Sequence, residues 1–171
     1  KGAGGDRQSS RRSAGGGAAM KRDGRIAGSG LLLDQLVKSV VQQKMQEGLS
    51  IPVLPGIFHI TYILNPGAAF GLFEEQQWLF ILVAVLLVLG VAVLFRQLLQ
   101  QPPVMRFGAA LLVGGALGNL MDRIRLGKVV DFLDFRIWPI FNVADIAICV
   151  GVGLILLAMF KEQGDMNGGD K

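Results

Sequence analysis

The chain has 171 residues, enough for one compact domain. It is 51% hydrophobic and only 18% charged, which argues against an ordinary soluble domain and for a membrane protein. The net charge is +4, yet the basic residues of positions 1–25 have no interleaved aromatics, so no nucleic-acid partner is expected.

Residues 1–30 are rich in Gly, Ser and Arg and hold almost no large apolar side chain. Such a segment cannot bury a core, so disorder, or a misassigned start, is expected there. No apolar run ending in a small-residue cleavage site marks a signal peptide. "LLLDQLVKSVV", 31–41, follows. At 1.5 Å per residue it covers about half of the ~30 Å hydrocarbon core. It reads as the outer half of a membrane helix whose inner half is missing. Its Asp34 and Lys38 stand four apart, share a helix face and can pair.

The loop over 45–77 contains "GIFHITYIL", 56–64, which alternates and predicts a strand. "NPGAAFG", 65–71, predicts a turn. Residues 78–95 are uncharged and long enough to span, with Trp78 at one end and Arg96 at the other. "QPPV", 101–104, is a turn. Residues 107–121, lengthened by Val104 and Met105, form a second clear span with Gly114 and Gly118 at a GxxxG spacing. Residues 141–160 form the last span, with Ala147 and Gly151 as its small face. Three clear spans and one incomplete first span predict four transmembrane helices. Residues 31–160 are the membrane domain and 161–171 a polar tail. Basic residues place both termini on the cytoplasmic side, although that margin rests on positions 1–25.

Four acids gather near the outer end of the last two spans: Asp122, Asp131, Asp134 and Asp145. Asp145 lies five residues into an apolar segment, where an ionisable group usually marks function. Asn142 precedes it by three, and Asn119 and Asp122 repeat that spacing. Two carboxyls across a wet cleft would share one proton. One could then act as general base on water while the other protonates a leaving group. For Asp122 the stronger reading is an ion pair with Arg123 or Arg125. For Asp134 it is pairing with Arg136 or solvation. Spacing alone leaves Asp131 open. His59, the single histidine, has no Ser or Cys nucleophile beside it and reads as structural. Cys149, the single cysteine, reads as a small filler. No ligand spacing for a metal is present, and no cofactor is expected. An alternative is a small proton-coupled membrane transporter using Asp145, but the acids cluster at one edge and do not follow a path. A non-enzymatic assembly subunit would leave Asp145 unexplained.

"LDQLVKSVV" (33–41), "NPGAAFGLF" (65–73), "GNLMDRIRLGKVVDF" (118–132) and "FNVADIAICVG" (141–151) together resemble the signature blocks of the lipoprotein signal peptidases, signal peptidase II. The resemblance runs in order from about 31 to 160. It implies a membrane α-helical fold of four helices with a small extracytoplasmic β-cradle and a lid-like segment within 45–77. It implies an aspartic endopeptidase of the bacterial inner membrane, with its active site on the extracytoplasmic side. The substrate would be a lipid-modified prolipoprotein, cut just before its diacylglyceryl-modified cysteine, with membrane phospholipid around it. On this resemblance Asp131 and Asp145 are catalytic. Asn119, Asp122, Arg123 and Asn142 support the site, and Asp34, Lys38 and Asn65 match further motif positions, Asn65 near the substrate. No metal is implied, and sensitivity to the cyclic peptide globomycin is. The sequence departs from the family at the polar residues 1–30, where an apolar half-helix is expected, and at Pro66.

Overall fold

The computed structural model describes residues 5–67 and 76–168, with side chains over 17–67 and 76–163. In chain order the elements are α1 (Gly5–Lys44), β1 (Ser50–Leu54), β2 (Phe58–Asn65), α2 (Gln77–Val93), α3 (Phe95–Leu98), α4 (Pro103–Leu126), β3 (Val129–Asp134) and α5 (Val143–Gly168). Among the described residues two helices are long and apolar enough to cross a membrane: α4, and α5 through Gln163. The apolar α2 has 17 residues.

α4 is the central helix and packs against α1, α2 and α5. Pro103 opens it, where a missing N–H leaves nothing unpaired. Gly127 closes it at φ 73, in the left-handed region, and donates its N–H to the Arg123 carbonyl at 3.1 Å. The small residues of α4 divide between two neighbours. Gly114 and Gly118 face α1, and Gly115 faces α5. A methyl group at Gly118 would lie 2.6 Å from the Asp34 carboxylate, so only glycine leaves room for that charge.

The three strands form one antiparallel sheet in the order β1-β2-β3. Val41 of α1, Tyr62 of β2, and Val130 and Phe132 of β3 make the small apolar core beneath it. β3 continues almost directly from α4, and its far edge is bridged by Phe141 through Leu133. That bridge folds residues 135–141 into an arm closing back on the sheet. The outward residues of α2 and α5, among them Leu86, Leu89, Leu156 and Leu157, are apolar and exposed.

Several expectations shift. The strand expected at 56–64 is β2, and β1 falls within 45–77, where the resemblance implied a small β-cradle, while β3 was not anticipated. Residues 122–126, read as loop, complete the last turns of α4. The span expected at 78–95 breaks at Leu94 into α2 and α3. Part of the expected 65–71 turn, residues 68–71, lies outside the described residues. The largest difference concerns residues 1–30, expected to be disordered: from Gly5 onward they continue α1. Once a helix is nucleated, each further residue adds a hydrogen bond, so a polar segment can be carried by its neighbour. Here it is also tied down. Asp23 accepts from Arg106 Nε and Nη2 of α4 at 2.9 and 2.8 Å, and Ala27 packs on Gly114.

Candidate active site

Lys38 organises the site. It is 1% exposed, and its ammonium has three donors to satisfy. Asp34 Oδ2 and Asp122 Oδ2 accept at 2.8 Å each, and Asn119 Oδ1 at 3.0 Å. The Asp34–Lys38 pair thus forms on one face of α1 as its spacing predicts. Asp122 does not pair with Arg123 or Arg125 as expected. It is buried, bound to Lys38, and accepts from Gln35 Nε2 at 2.8 Å and the Val130 N–H at 3.2 Å. A surface pairing was the natural reading because Lys38 is far away in sequence.

The start of α5 is built by the same residues. The first N–H groups of a helix have no partner within it. Asp34 Oδ1 accepts from the Ala144 N–H at 2.9 Å. Asn142 Oδ1 accepts from the Asp145 N–H at 2.9 Å, while Asp145 Oδ2 accepts from the Asn142 N–H at 3.1 Å. This is a reciprocal capping box. Asp145 therefore lies in the first turn of α5, at the helix's positive end, not five residues into a span.

Asn119 and Asn142 join this frame to the remaining carboxylates. Asn119 Nδ2 donates to Asp145 Oδ1 at 2.7 Å. Asn142 Nδ2 donates to Asp131 Oδ1 at 2.7 Å and reaches Asn119 Oδ1 at 3.1 Å. Asn65 Nδ2 donates to the other oxygen of Asp131 at 2.8 Å. Asn142 thus touches both carboxylates, one through its side chain and one through its backbone. Arg123, over the Phe80 ring at 4.9 Å, adds a positive charge acting on Asp145, Asp131 and Asp122.

Asp131 is 2% exposed. Burial pushes its carboxyl up to about 7, with the neighbouring Asp145 charge adding to the rise. Hydrogen bonds from Asn65 and Asn142 and the charge of Lys38 oppose it. Both Asp131 and Asp145 line a groove of about 600 Å³, with Ile63, Asn65, Trp138 and Phe141 among its walls. A carboxyl near half-protonation beside a second carboxyl can hold and pass one proton. Among the described residues no three His, Cys, Asp or Glu side chains gather as metal ligands.

Asp134 sits apart from the groove. It holds the 135–141 arm, accepting the Arg136 N–H at 2.8 Å and its guanidinium at 2.9 Å. The pairing with Arg136 was expected, but Asp134 is buried and also accepts from Thr61 at 2.8 Å. Burial alone would raise its carboxyl, and these bonds outweigh it and hold it below the usual value. His59 lies in β2 and bonds Ser50 at 3.0 Å. Cys149, expected as a small filler in a membrane helix, is exposed on α5 at the groove wall. Sequence reasoning missed Gln35, Trp138 and Phe141. Gln35 could have been noticed, since it neighbours Asp34 in the same short motif. Trp138 carried no signal beyond its aromatic ring.

A family model described as signal peptidase (SPase) II matches residues 26–161. A lipoprotein signal peptidase of Pelotomaculum thermopropionicum is 52% identical over 133 residues, covering 78% of this chain and 88% of that protein. One from Moorella thermoacetica is 47% identical, covering 78% and 91%. A solved bacterial membrane enzyme superposes with a TM-score of 0.76 at 31% identity, over 87% of this chain and 91% of its own. A second gives 0.72 at 32% identity, over 85% and 94%. The match takes in α4, β3, the start of α5 and the C-terminal part of α1, the elements that assemble the buried network. The chain belongs to the signal peptidase II family, proteases that process lipoprotein signal peptides.

Proposed function

We propose that this protein is an aspartic endopeptidase that removes the signal peptide from diacylglyceryl-modified prolipoproteins, cutting before the lipidated cysteine. The observation that carries the reading is Asn142, which ties Asp131 and Asp145 together at one groove.

In this mechanism the pair holds one proton, on Asp131, whose burial favours the neutral form. Asp145, in the first turn of α5 and near the positive charge of Arg123, is the general base. Asp145 takes a proton from water as the water attacks the scissile carbonyl. Asp131 gives its proton to the carbonyl oxygen as the tetrahedral intermediate forms. Asp145 then passes the proton it took from water to the leaving amide nitrogen, and Asp131 takes back a hydroxyl proton as the C–N bond breaks. Asn119, Asn65 and Asn142 hold the carboxylates in place, and Lys38 neutralises Asp34 and Asp122 behind them. No metal or cofactor takes part. α1, α2, α4 and α5 are the four membrane elements, with residues 31–160 as the working domain. The site faces the extracytoplasmic side of the bacterial cytoplasmic membrane.

The test is cleavage of a diacylglyceryl-modified prolipoprotein by the reconstituted protein. Asp131→Asn and Asp145→Asn should each lower kcat by roughly 10²–10⁴-fold, the range of a general acid or base. Near-normal turnover in either variant would sink the assignment.

A further inference from the structure

Polar side chains from all three strands are linked in a line across the sheet. His59 Nδ1 and Ser50 Oγ lie 3.0 Å apart, Ser50 Oγ and Thr61 Oγ1 2.7 Å, and Thr61 Oγ1 lies 2.8 Å from Asp134 Oδ2. The strand register produces the line, since Thr61 is opposite Ser50 and His59 is opposite Asp134. These contacts have a direction. Asp134, whose carboxyl is held below the usual range, is ionised and can only accept. Thr61 therefore gives it its single hydroxyl proton. Thr61 Oγ1 then accepts from Ser50, and Ser50, with its own proton committed, accepts from His59. The proton of a neutral His59 ring must sit on Nδ1. A serine beside a histidine often marks an activated nucleophile, but there the imidazole takes the hydroxyl proton. Here the order is reversed, so Ser50 is a link and not a nucleophile. His59 Nε2 is buried without a partner among the described residues, so nothing at that end opposes the order set by Asp134.

The line ends on the anchor of the 135–141 arm. Asp134 Oδ1 accepts the Arg136 N–H, and Oδ2 is shared by the Arg136 guanidinium and Thr61. Arg136 is held at φ 64, a left-handed conformation uncommon for a non-glycine residue. The base of the arm is packed, with the Phe135 ring 4.8 Å from that of Phe58 and 5.9 Å from that of Phe141. The tip is not: Ile137 is 93% exposed and Trp138 68%. Yet Trp138 and Phe141 line the groove of Asp131 and Asp145, and with Phe135 and Ile137 they line a second groove of about 500 Å³. Asp145 and Cys149 belong to both linings. A wall whose tip packs on little takes its position from its anchor.

We propose that Asp134 is a positioning residue for the peptide substrate: it sets the arm as a groove wall, and the one-way chain from His59 through Ser50 and Thr61 orients its carboxylate. The role in substrate binding rests on the peptidase reading above, whereas the direction of the chain does not. A wall that holds the peptide equally before and during the reaction acts on KM and not on kcat.

Two measurements test this. His59 is the single histidine, so NMR of isotopically labelled histidine nitrogens reports one site. The neutral ring of the purified protein should carry its proton on Nδ1, the less common tautomer of a free side chain. Thr61→Val cuts the chain and should move that proton toward Nε2, while Thr61→Ser should leave it on Nδ1. A proton on Nε2 in the unaltered protein overturns the chain. In cleavage of a diacylglyceryl-modified prolipoprotein, Asp134→Ala should raise KM by roughly tenfold with kcat changed far less, as loss of a charge-assisted hydrogen bond implies. Thr61→Val should raise KM by a smaller factor and Thr61→Ser should restore it, which carries the test even where Asp134→Ala fails to fold. A loss expressed in kcat, or no loss, overturns the positioning role. If the unaltered protein cleaves no precursor, the peptidase reading fails and the positioning role with it, while the histidine spectrum still decides the chain.

Discussion

At the scale of single residues, Asp131 has a titration that matters. Its carboxyl is raised to about 7 in the folded protein, against ~3.9 in an unfolded chain. The folded state therefore holds that proton more tightly. Its contribution to stability is complete below about pH 4 and is lost as pH rises through about 7. Thermal stability in detergent should fall across this window, and Asp131→Asn should flatten the fall. Activity should show an alkaline limb with an apparent pKa near 7, as the pair loses its one shared proton. The Asp145→Asn variant removes a neighbouring negative charge, so Asp131 should then titrate lower. Infrared difference spectra of the carboxyl band against pH would read that shift directly, and an unmoved band would contradict it.

The sequence was informative about some residues and silent about others. The Asp34–Lys38 pair was legible because four residues on one helix face fix their separation. The capping box was also written there, as Asn142-x-x-Asp145, but an apolar run on both sides made it look like the middle of a span. Asp122 could not be placed, because its partner Lys38 comes from a helix distant in the chain. Spacing left Asp131 undecided, and the resemblance singled it out. Its place in the structure depends on β3, a strand whose burial on both faces erases the alternation that would announce it.

At the scale of elements, α1 acts as a strut for α5. Lys38 neutralises two buried carboxylates, and Asp34 in turn holds the first turn of α5. Lys38→Met would leave both acids buried without their counter-charge. A cost of about 3–5 kcal/mol is expected, seen as a large drop in Tm of the purified protein. Gly118→Ala acts on the same strut by volume. The added methyl would meet the Asp34 carboxylate at 2.6 Å, displacing it from the Ala144 N–H. Cleavage should fall although Gly118 touches neither Asp131 nor Asp145. The apolar helices α4 and α5 were readable from unbroken apolar runs, whereas their ends were not. The end of α4 rests on a left-handed glycine after a charged stretch that composition alone assigns to a loop.

At the scale of the whole molecule, the N-terminal half of α1 is the unusual part. It is polar, yet helical, and it meets α4 through the Asp23–Arg106 pair. Arg106 is 8% exposed, so replacing residues 5–30 with an apolar helix would strand its charge. The exchange should therefore raise membrane insertion only when combined with Arg106→Leu. Carbonate extraction of membranes would measure this, and a gain from the helix exchange alone would show that the ion pair contributes nothing. Composition could not foresee such a segment as helix, because what holds it lies on α4 and not in the segment.

Cys149 gives the molecule a use that its chemistry does not require. It is the single thiol in the chain, it is exposed, and it stands one helical turn beyond Asp145 on the wall common to both grooves. A maleimide dye therefore has one place to react, beside the proposed cleavage point. The native protein carries its own occupancy reporter: whatever fills either groove should slow the labelling, with no engineered cysteine needed.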